Sequence, residues 1–335
     1  MTVRVPKELL LRDPAVLAPQ AGLLYLPDDQ PGISRRRRGT GFSYADPRGS
    51  GVAGRGRDRI EALAVPPAWN SVWISPEASS YLQASGVDAA GRKQYRYHDE
   101  FRAFCDARKF ARLPYFRRAV VKLRAATDEA LDEPLGSRAH AVAAAVRLID
   151  ACLLRVGNHQ SADNGHYGAT TLTVDHVIDD GHLTLDYVGK SGKTHTVIVE
   201  DDDLADILVE LATDADDELF WFDDPETGRR RRAEATDINR FIVRHAGEAF
   251  SAKDFRTWGG SAIALQGRAE GERPLDAVDH AARELGNTRS VARSSYIHPS
   301  VLDANDDAIA AAWRAARSSK WLSRAESALG KLIDT

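Results

Sequence analysis

The sequence predicts an α+β protein with a small, β-rich N-terminal domain of residues 1–95 and a larger, mainly α-helical domain of residues 96–335 that contains a three-stranded β-meander. Three observations lead to this prediction. Short aromatic and β-branched runs separated by Pro and Gly fill the first part of the chain, helical periodicity begins near Tyr95, and strict alternation interrupts the helices at residues 170–199. A length of 335 residues is consistent with about two domains.

The N-terminal domain is predicted to consist of short strands joined by loops. Residues 22–26, 40–44 and 72–74 are the strand candidates, because aromatic and β-branched side chains pack well on a pleated sheet. The glycine-rich residues 49–56 predict a flexible loop. These patterns together indicate a small β-rich domain.

A helix is predicted after Ser137, whose side chain is suited to the N-cap position. The apolar residues that follow recur at alternating three- and four-residue spacing, as on one face of a helix. They are Ala139, Val142, Val146, Ile149 and Leu153. Gly157 is a plausible helix stop, because glycine readily adopts the left-handed conformation that ends many helices.

The alternating residues 170–199 predict three antiparallel strands in sequence. Their turns are predicted at Asp180-Gly181 and at residues 189–193, where glycine allows a tight reversal of the chain. Helical patterns resume near residue 203 and continue to the end of the chain, so the last residues are predicted to be terminal helices.

The composition is that of an ordinary globular protein, with 43% apolar and 28% charged residues. No run of about 18 uncharged apolar residues exists, so we expect no membrane span, and the N-terminus lacks the apolar stretch of a signal peptide. The two cysteines, Cys105 and Cys152, exclude a disulfide framework and suit a reducing cytoplasm. The ten histidines include no zinc-binding helical pair, so we expect no metal site.

The charges are segregated along the chain although the net charge is only −4. Residues 31–60 carry eight arginines against two acids, and residues 91–124 carry eleven basic residues against three acids. Residues 200–226 hold thirteen acids and no base. Each run alone is equally consistent with a solvated surface. Together they predict a basic face that can bind a polyanion. Most of its basic residues are arginines, which can form bidentate hydrogen bonds with phosphate.

Four segments of the second domain carry groups suited to phosphodiester chemistry. They are residues 155–158, 189–193, 254–258 and 294–299. Cleavage of a phosphodiester requires a nucleophile, a proton for the departing oxygen and positive charge on the non-bridging oxygens. Arg155 and Arg256 can supply permanent charge. Lys190 can donate a proton and Tyr296 can attack, provided that cations lower the pKa of the phenol.

Each of these residues alone has a simpler interpretation. Arg155 could counter a helix dipole, and Arg256 could be an ion-paired surface arginine. Lys190 could be a solvated turn lysine, and Tyr296 a half-buried aromatic. Only their joint order and local context favour a catalytic function.

Further motifs accompany these segments, namely Arg59-Ile60, Pro66-Pro67-Ala68-Trp69 and residues 91–98. With them, the chain from Pro31 to Pro299 resembles the type IB DNA topoisomerases, specifically their compact poxvirus-like and bacterial branch. The resemblance implies a β-rich domain and a helical catalytic domain that clamp duplex DNA. It also implies a helical core related to the catalytic cores of tyrosine recombinases.

The resemblance further implies roles for individual residues. Tyr296 would form a 3′-phosphotyrosyl link, Arg155 and Arg256 would hold the scissile phosphate, and Lys190 would protonate the 5′-hydroxyl leaving group. Four residues would contact DNA, the last of them with a weaker match; they are Gln94, Tyr95, Tyr97 and Lys193. Neither ATP nor a metal is required in this family, so we expect no cofactor.

One position departs from the family pattern. Many relatives carry a histidine nine residues before the tyrosine, where it donates to a non-bridging oxygen, and here that position is Asn287. An asparagine amide can make the same donation, though never as a cation. We therefore expect retained activity, with Asn287 in that role.

The expected partner is double-stranded DNA, with no nucleotide and no membrane. A monomer is expected, because swivelling chemistry needs one active site. The Arg- and Ala-rich, Lys-poor composition indicates a GC-rich bacterial genome. The expected location is the cytoplasm, in association with the nucleoid.

Three alternatives compete with this interpretation. A tyrosine recombinase or integrase shares the Arg-Lys-Arg-Tyr order, but those enzymes usually show His-x-x-Arg where this chain has Lys253-Asp254-Phe255-Arg256. A non-catalytic DNA-binding protein is disfavoured because all four catalytic positions are occupied. A P-loop ATPase, suggested by Gly192-Lys193-Thr194, is rejected because Tyr187 stands where the first glycine is required.

Overall fold

The computed structural model describes residues 3–334. Its internal contacts divide these residues into two compact units. The N-terminal unit is residues 7–110, and the C-terminal unit is residues 111–334 together with residues 3–6. The sequence-based boundary lies after residue 95, so the division by contacts assigns about one more helix to the N-terminal unit.

The N-terminal unit is built on a five-stranded antiparallel sheet with strand order β2-β1-β3-β4-β5. The strands are β1 (Ile33–Arg38), β2 (Gly41–Ala45), β3 (Asn70–Ile74), β4 (Leu82–Val87) and β5 (Lys93–Tyr97). The helices are α1 (Lys7–Leu10), α2 (Pro14–Gln20), α3 (Gly54–Ala62) and α4 (Asp99–Ala111). Helix α3 begins inside the predicted glycine-rich loop, and residues 22–26 contribute an isolated bridge at Leu24 rather than a strand.

Two arginines of the basic N-terminal run have structural roles in this unit. Arg35 donates to the carbonyls of Val65, Pro66 and Trp69 at 2.7–3.0 Å. Arg59 donates to the Ser75 carbonyl at 2.5 Å and to Gln83 at 3.1 Å. These guanidinium groups tie loops to the sheet, so they are not simply part of a basic surface.

The C-terminal unit is mainly helical. Its helices are α5 (Leu113–Leu131), α6 (Arg138–Cys152), α7 (His159–Ala162), α8 (Asp202–Asp214), α9 (Ala235–Ala246), α10 (Ala252–Ala269), α11 (Pro274–Glu284), α12 (Arg289–Ser295), α13 (Pro299–Asp303), α14 (Asp306–Ala315) and α15 (Arg324–Ile333). The predicted meander is present as β6 (Val177–Asp179), β7 (Leu183–Val188) and β8 (Thr194–Ile198). Its first strand begins later than the alternation from residue 170 predicts, because Ala169–Thr171 and Val174–His176 form short 3₁₀ turns. A short hairpin of β9 (Trp221–Asp223) and β10 (Arg230–Arg232) interrupts the region that was predicted to be helical throughout.

The core of the C-terminal unit surrounds α10. Phe255 and Trp258 on this helix are about 1% exposed, and Phe116 of α5 meets both rings edge-on at 5.4 Å and 6.2 Å between centroids. Complete burial of one such side chain stabilises the fold by about 1.5–3 kcal/mol. Helix α10 is thereby held rigidly, which matters because it carries Arg256.

The end of α6 differs from the prediction. Ser137 caps the helix as expected, accepting from the His140 amide at 3.2 Å. The helix ends at Cys152, however, and Leu153 adopts the left-handed conformation with φ 51°. No glycine in the sequence marks this helix end. Its position is determined by α10, because Arg256 donates a hydrogen bond to the Leu153 carbonyl and Gly259 leaves room for the Leu153 side chain. The predicted stop at Gly157 is therefore wrong.

None of the helices within residues 3–334 is both long and apolar enough to span a bilayer.

Candidate active site

Arg155 lies just beyond α6, in a segment whose backbone is held by its neighbours. Its carbonyl accepts from the Ala169 amide at 2.8 Å, and the next carbonyl, of Val156, accepts from the Thr170 amide at 2.8 Å. A Cβ on Gly168 would lie 2.7 Å from the Arg155 oxygen, so glycine is needed for the two segments to approach. The base of the Arg155 side chain is therefore fixed.

Arg256 occupies the middle of α10 and is 4% exposed. Its Nη1 donates to the Leu153 carbonyl and its Nη2 donates to the Leu285 carbonyl at 2.8 Å. Its Nε is buried and has no hydrogen-bond partner among residues 3–334. Burial, and then the charge of Arg155, lower the pKa of Arg256. A guanidinium still remains charged at neutral pH, so the site contains a fixed cation with donors to spare.

Tyr296 follows α12 and packs against α10, the helix that carries Arg256. Its carbonyl accepts from Ser261 Oγ at 3.1 Å, and that hydroxyl accepts in turn from the His298 amide at 2.9 Å. A Cβ on Gly260 would lie 3.2 Å from the Tyr296 carbonyl oxygen. Because Gly260 is one helical turn after Arg256, the two contacts are on the same face of α10. The Tyr296 ring consequently lies 4.9 Å from the Arg256 guanidinium carbon.

The electrostatic surroundings of Tyr296 favour its ionised form. Burial alone would raise the pKa of the phenol. Arg256 lowers this pKa through its charge and through a direct interaction with the phenol. The charges of Lys253 and Arg155 lower it further, and the three cations together outweigh the effect of burial. The pKa of Tyr296 therefore lies below its ordinary value of 10.0.

Asn287 is placed by the end of α11. Gly286 has φ 59° and donates to the Arg283 carbonyl, while the Asn287 amide nitrogen donates back to the Ala282 carbonyl at 2.8 Å, which is a Schellman-type helix end. The side-chain Oδ1 accepts from Arg155 Nη2 at 2.6 Å. Its Nδ2 is buried and, within the described part of the chain, has no hydrogen-bond partner. An amide donor is thus available beside the two arginines.

Lys190 lies at the exposed tip of the β7–β8 hairpin. The turn is closed by the Gly189 amide donating to the Lys193 carbonyl at 2.7 Å, and Ser191 in the turn has φ 67°. The structure joins Arg155, Arg256, Asn287 and Tyr296 through contacts or electrostatic interactions. It shows no such contact for the Lys190 amine within residues 3–334, and Lys193 is likewise exposed.

The three expected DNA-contacting residues of the N-terminal unit lie on its edge strand β5. Gln94 donates to Asp88 at 2.9 Å, so its amide is partly committed to an internal bond. Tyr95 and Tyr97 are 45% and 36% exposed, and their rings stack with centroids 5.9 Å apart. The Lys93 ammonium lies 5.4 Å from the Tyr95 ring centre. The strand offers an exposed aromatic pair with a cation beside it.

His195 on β8 was missed by the sequence analysis. Its ring stacks on that of Tyr187 at 5.1 Å, and it also touches the backbone at Gly286. Burial, and then Arg155, Arg256 and Lys193, lower the pKa of His195, so the imidazole is neutral at pH 7. The only signal in the sequence was a histidine in alternating register with Tyr187 across the predicted hairpin.

Metal ligation is not suggested by the side chains described. Within residues 3–334, no group of three or more His, Cys, Asp or Glu residues is arranged to hold a metal ion.

Comparison with known proteins gives consistent matches over most of the chain. Residues 98–320 match the family model for the catalytic core of eukaryotic DNA topoisomerase I, and residues 41–88 match that for the N-terminal domain of bacterial DNA topoisomerase IB. The chain is 30% identical over 285 residues to the protein named DNA topoisomerase 1B of Acanthamoeba polyphaga mimivirus. This alignment covers 79% of the chain and 85% of the viral protein.

Proposed function

The chain belongs to the type IB DNA topoisomerase family and is a DNA topoisomerase; from that premise we propose that Tyr296 is its nucleophile and forms a transient 3′-phosphotyrosyl bond with one DNA strand. The observation that carries the proposal is the Arg256 guanidinium, held 4.9 Å from the Tyr296 ring by two backbone carbonyls. A fixed cation at that position stabilises a phenolate and thereby makes a weak nucleophile competent.

In the cleavage step, the Tyr296 phenol gives up its proton to solvent water and its oxygen attacks the scissile phosphorus. The bond between phosphorus and the 5′-oxygen breaks, and the 5′-oxygen leaves with a proton. Religation runs the same exchange backwards, because the 5′-hydroxyl attacks and the phenol leaves. One phosphoester bond is exchanged for another in each direction, so neither an ATP-derived phosphate nor a change of oxidation state is needed.

The charge that develops on the non-bridging oxygens is neutralised by groups already in place. Arg155 and Arg256 supply two cations, and the Nε of Arg256 and the Nδ2 of Asn287 are buried donors without partners in residues 3–334. Preorganised donors of this kind are each worth roughly 10²–10³-fold in rate. The bond from Arg155 to Asn287 Oδ1 supports the assignment, because it turns the amide nitrogen away from Arg155.

Lys190 supplies the proton for the 5′-oxygen. Its position at the tip of a two-strand hairpin allows the amine to reach a leaving group once DNA is bound, and an ammonium group can act as a general acid. Lys193 on the same turn, and Gln94, Tyr95 and Tyr97 on β5, contact the DNA. Such contacts set the position of the duplex rather than the chemistry.

While the strand is covalently held, the free 5′ end rotates about the intact strand and superhelical tension is released. The enzyme acts as a monomer on duplex DNA in the nucleoid, without nucleotide. The order Arg155, Lys190, Arg256, Tyr296 also supports a relation between the helical unit and the catalytic cores of tyrosine recombinases.

The test is relaxation of a supercoiled plasmid in EDTA by wild type, Tyr296→Phe and the control Tyr187→Phe. Tyr187 is a matched tyrosine because Arg256 and Arg155 also act on its hydroxyl, but burial raises its pKa to about 12. We expect wild type and the control to give a ladder of relaxed topoisomers and a covalent adduct trapped by denaturant, and Tyr296→Phe to give neither. Activity that persists in Tyr296→Phe, or that disappears in EDTA for wild type, would contradict the proposal.

A further inference from the structure

The His195 imidazole is enclosed between two glycines on different elements. A Cβ on Gly189 would lie 2.6 Å from His195 Cδ2 and 2.7 Å from its Nε2. On the opposite edge of the ring, a Cβ on Gly286 would overlap Cε1 and lie 2.8 Å from Nδ1. All of these distances are shorter than a real Cβ approaches its neighbours, so a side chain at either glycine would displace the imidazole. The ring therefore touches the bare backbone at both places.

Each of these glycines directly precedes a residue of the proposed chemistry. Gly189 precedes Lys190 in the β7–β8 turn, and Gly286 precedes Asn287 at the end of α11. Asn287 in turn accepts from Arg155. A single imidazole thus connects the lysine hairpin to the turn that carries the amide donor.

The ring itself is held by the sheet. His195 pairs with Tyr187 across β7 and β8, and the two rings are nearly parallel, with 12° between their planes. Tyr187 is 6% exposed, so the surface on which the imidazole rests is part of the core. The hairpin is also anchored at Val188, whose carbonyl accepts from the Tyr167 amide at 2.8 Å. The imidazole differs from that anchor because it reaches from the hairpin to the Asn287 turn, and so can orient the one against the other.

From this geometry we propose that His195 is a positioning residue: it holds the Lys190 turn against the Asn287 turn, so that the general acid and the amide donor act on the same phosphate. The inference rests on the roles proposed above for Lys190 and Asn287. It assigns the effect to the volume and flatness of the ring rather than to proton transfer by its nitrogens.

The first test measures single-turnover cleavage of a DNA with either the normal 5′-oxygen or a 5′-sulfur at the scissile bond. A thiolate leaves without protonation, since a thiol has a pKa of roughly 8.5. We expect His195→Ala to cleave the oxygen substrate about 10–100-fold more slowly than wild type, and the sulfur substrate within about threefold of wild type. His195→Phe, which keeps a flat ring, should cleave the oxygen substrate within about threefold of wild type.

Lys190→Ala is the reference variant. If the 5′-sulfur substrate restores the cleavage rate of Lys190→Ala but not that of His195→Ala, His195 does not act through Lys190. That result overturns the positioning role of His195 and leaves the proposed role of Lys190 intact. If sulfur fails to restore Lys190→Ala, the proposed role of Lys190 is wrong and the inference falls with it. If His195→Phe is as slow as His195→Ala, a flat ring at this position is not sufficient, and the proposed positioning by packing is overturned.

A double-mutant cycle provides a measurement that remains valid if His195→Ala is less stable. Gly189 has φ −95°, which any residue can adopt, so Gly189→Ala is disfavoured only by its collision with the imidazole. We expect Gly189→Ala to slow cleavage about tenfold in wild type and to have little effect when His195 is already alanine. Equal effects in the two backgrounds would refute the contact on which the inference depends.

Discussion

Arg256 Nη1 donates to the carbonyl of Leu153, a residue 103 positions earlier in the chain. That single hydrogen bond joins α10 to the point where α6 ends and the segment bearing Arg155 begins. It draws the two proposed phosphate-binding arginines together, although like charges repel. The repulsion is offset because Arg256 is also held by the Leu285 carbonyl at 2.8 Å and Arg155 by Asn287 at 2.6 Å. The cations are therefore in place before a substrate arrives.

Replacement of Arg256 by lysine should slow single-turnover cleavage about 10²–10³-fold. A lysine ammonium keeps the charge but cannot span the carbonyls of Leu153 and Leu285 while also offering a donor to phosphate. Arg244→Lys, at an exposed position on α9, is the matched control and should cleave at the wild-type rate. A fully active Arg256→Lys enzyme would mean that charge alone suffices and that the fork geometry is irrelevant.

Replacement of Asn287 by alanine should slow cleavage about 10–100-fold, because it removes the buried Nδ2 donor and leaves Arg155 without its Oδ1 partner. Asn287→His should retain most of the activity, since an imidazole can donate at the same place. The readout is the rate of covalent adduct formation at saturating enzyme. A wild-type rate for Asn287→Ala would remove Asn287 from the mechanism.

The rate of cleavage should rise with pH and level off below pH 10, because the cations around Tyr296 place the pKa of the folded phenol below 10.0. Lys253→Met removes one of those cations and should move the inflection to higher pH, whereas the exposed Lys331→Met should not. The measurement is the cleavage rate of the 5′-sulfur substrate between about pH 6 and 10. Because a thiolate leaves without protonation, the pH dependence of this rate reports ionisation of the phenol and not of the general acid. An unchanged inflection in Lys253→Met would show that Lys253 does not contribute to the lowered pKa of Tyr296.

The same depressed pKa has a consequence for stability. Between the folded pKa of Tyr296 and 10.0, the unfolded chain binds more protons at this group than the folded protein does. The group therefore contributes its stabilisation in full above pH 10 and loses it as the pH falls through the folded pKa.

Replacement of Arg124 by methionine should lower the free energy of unfolding by about 3–5 kcal/mol. Arg124 donates to Asp150 at 2.6 Å and to Glu326 at 2.7 Å, and Glu326 also accepts from Trp258 Nε1 at 2.8 Å. Removal of the guanidinium leaves two carboxylates in the core without their cation.

The control is Arg117→Met, on the same helix, whose partner Asp334 is 2.9 Å away and partly exposed. This change should cost no more than about 1 kcal/mol. Urea unfolding at pH 7 compares the two variants. Equal losses would show that burial of the Arg124 pair adds nothing to its strength.

Local elements of the fold were largely predictable. The N-cap at Ser137 and the strands of residues 183–198 depend on signals that lie within a few residues of one another, such as a hydroxyl before an apolar period or alternation across a glycine turn. The left-handed Leu153 was not predictable, because its conformation depends on Arg256 and Gly259 on a helix far along the chain. The β9–β10 hairpin was missed because each strand is only three residues long and β10 consists of three arginines, which give no strand signal.

By itself, the sequence determined the family and the order of the reactive groups, since Arg155, Lys190, Arg256 and Tyr296 stand in recognisable local contexts. Only the tertiary structure decided which of them touch. Burial of α10 aligned Arg256 beneath the Tyr296 ring, aimed the Asn287 amide beside Arg155, and enclosed His195 between two backbone segments. The physical reason is distance along the chain. Local hydrogen bonds and side-chain periodicity depend on neighbouring residues. The contacts of Arg256 with Tyr296, of Arg155 with Asn287 and of His195 with Gly286 join residues tens to more than a hundred positions apart, so they form only once the core has packed.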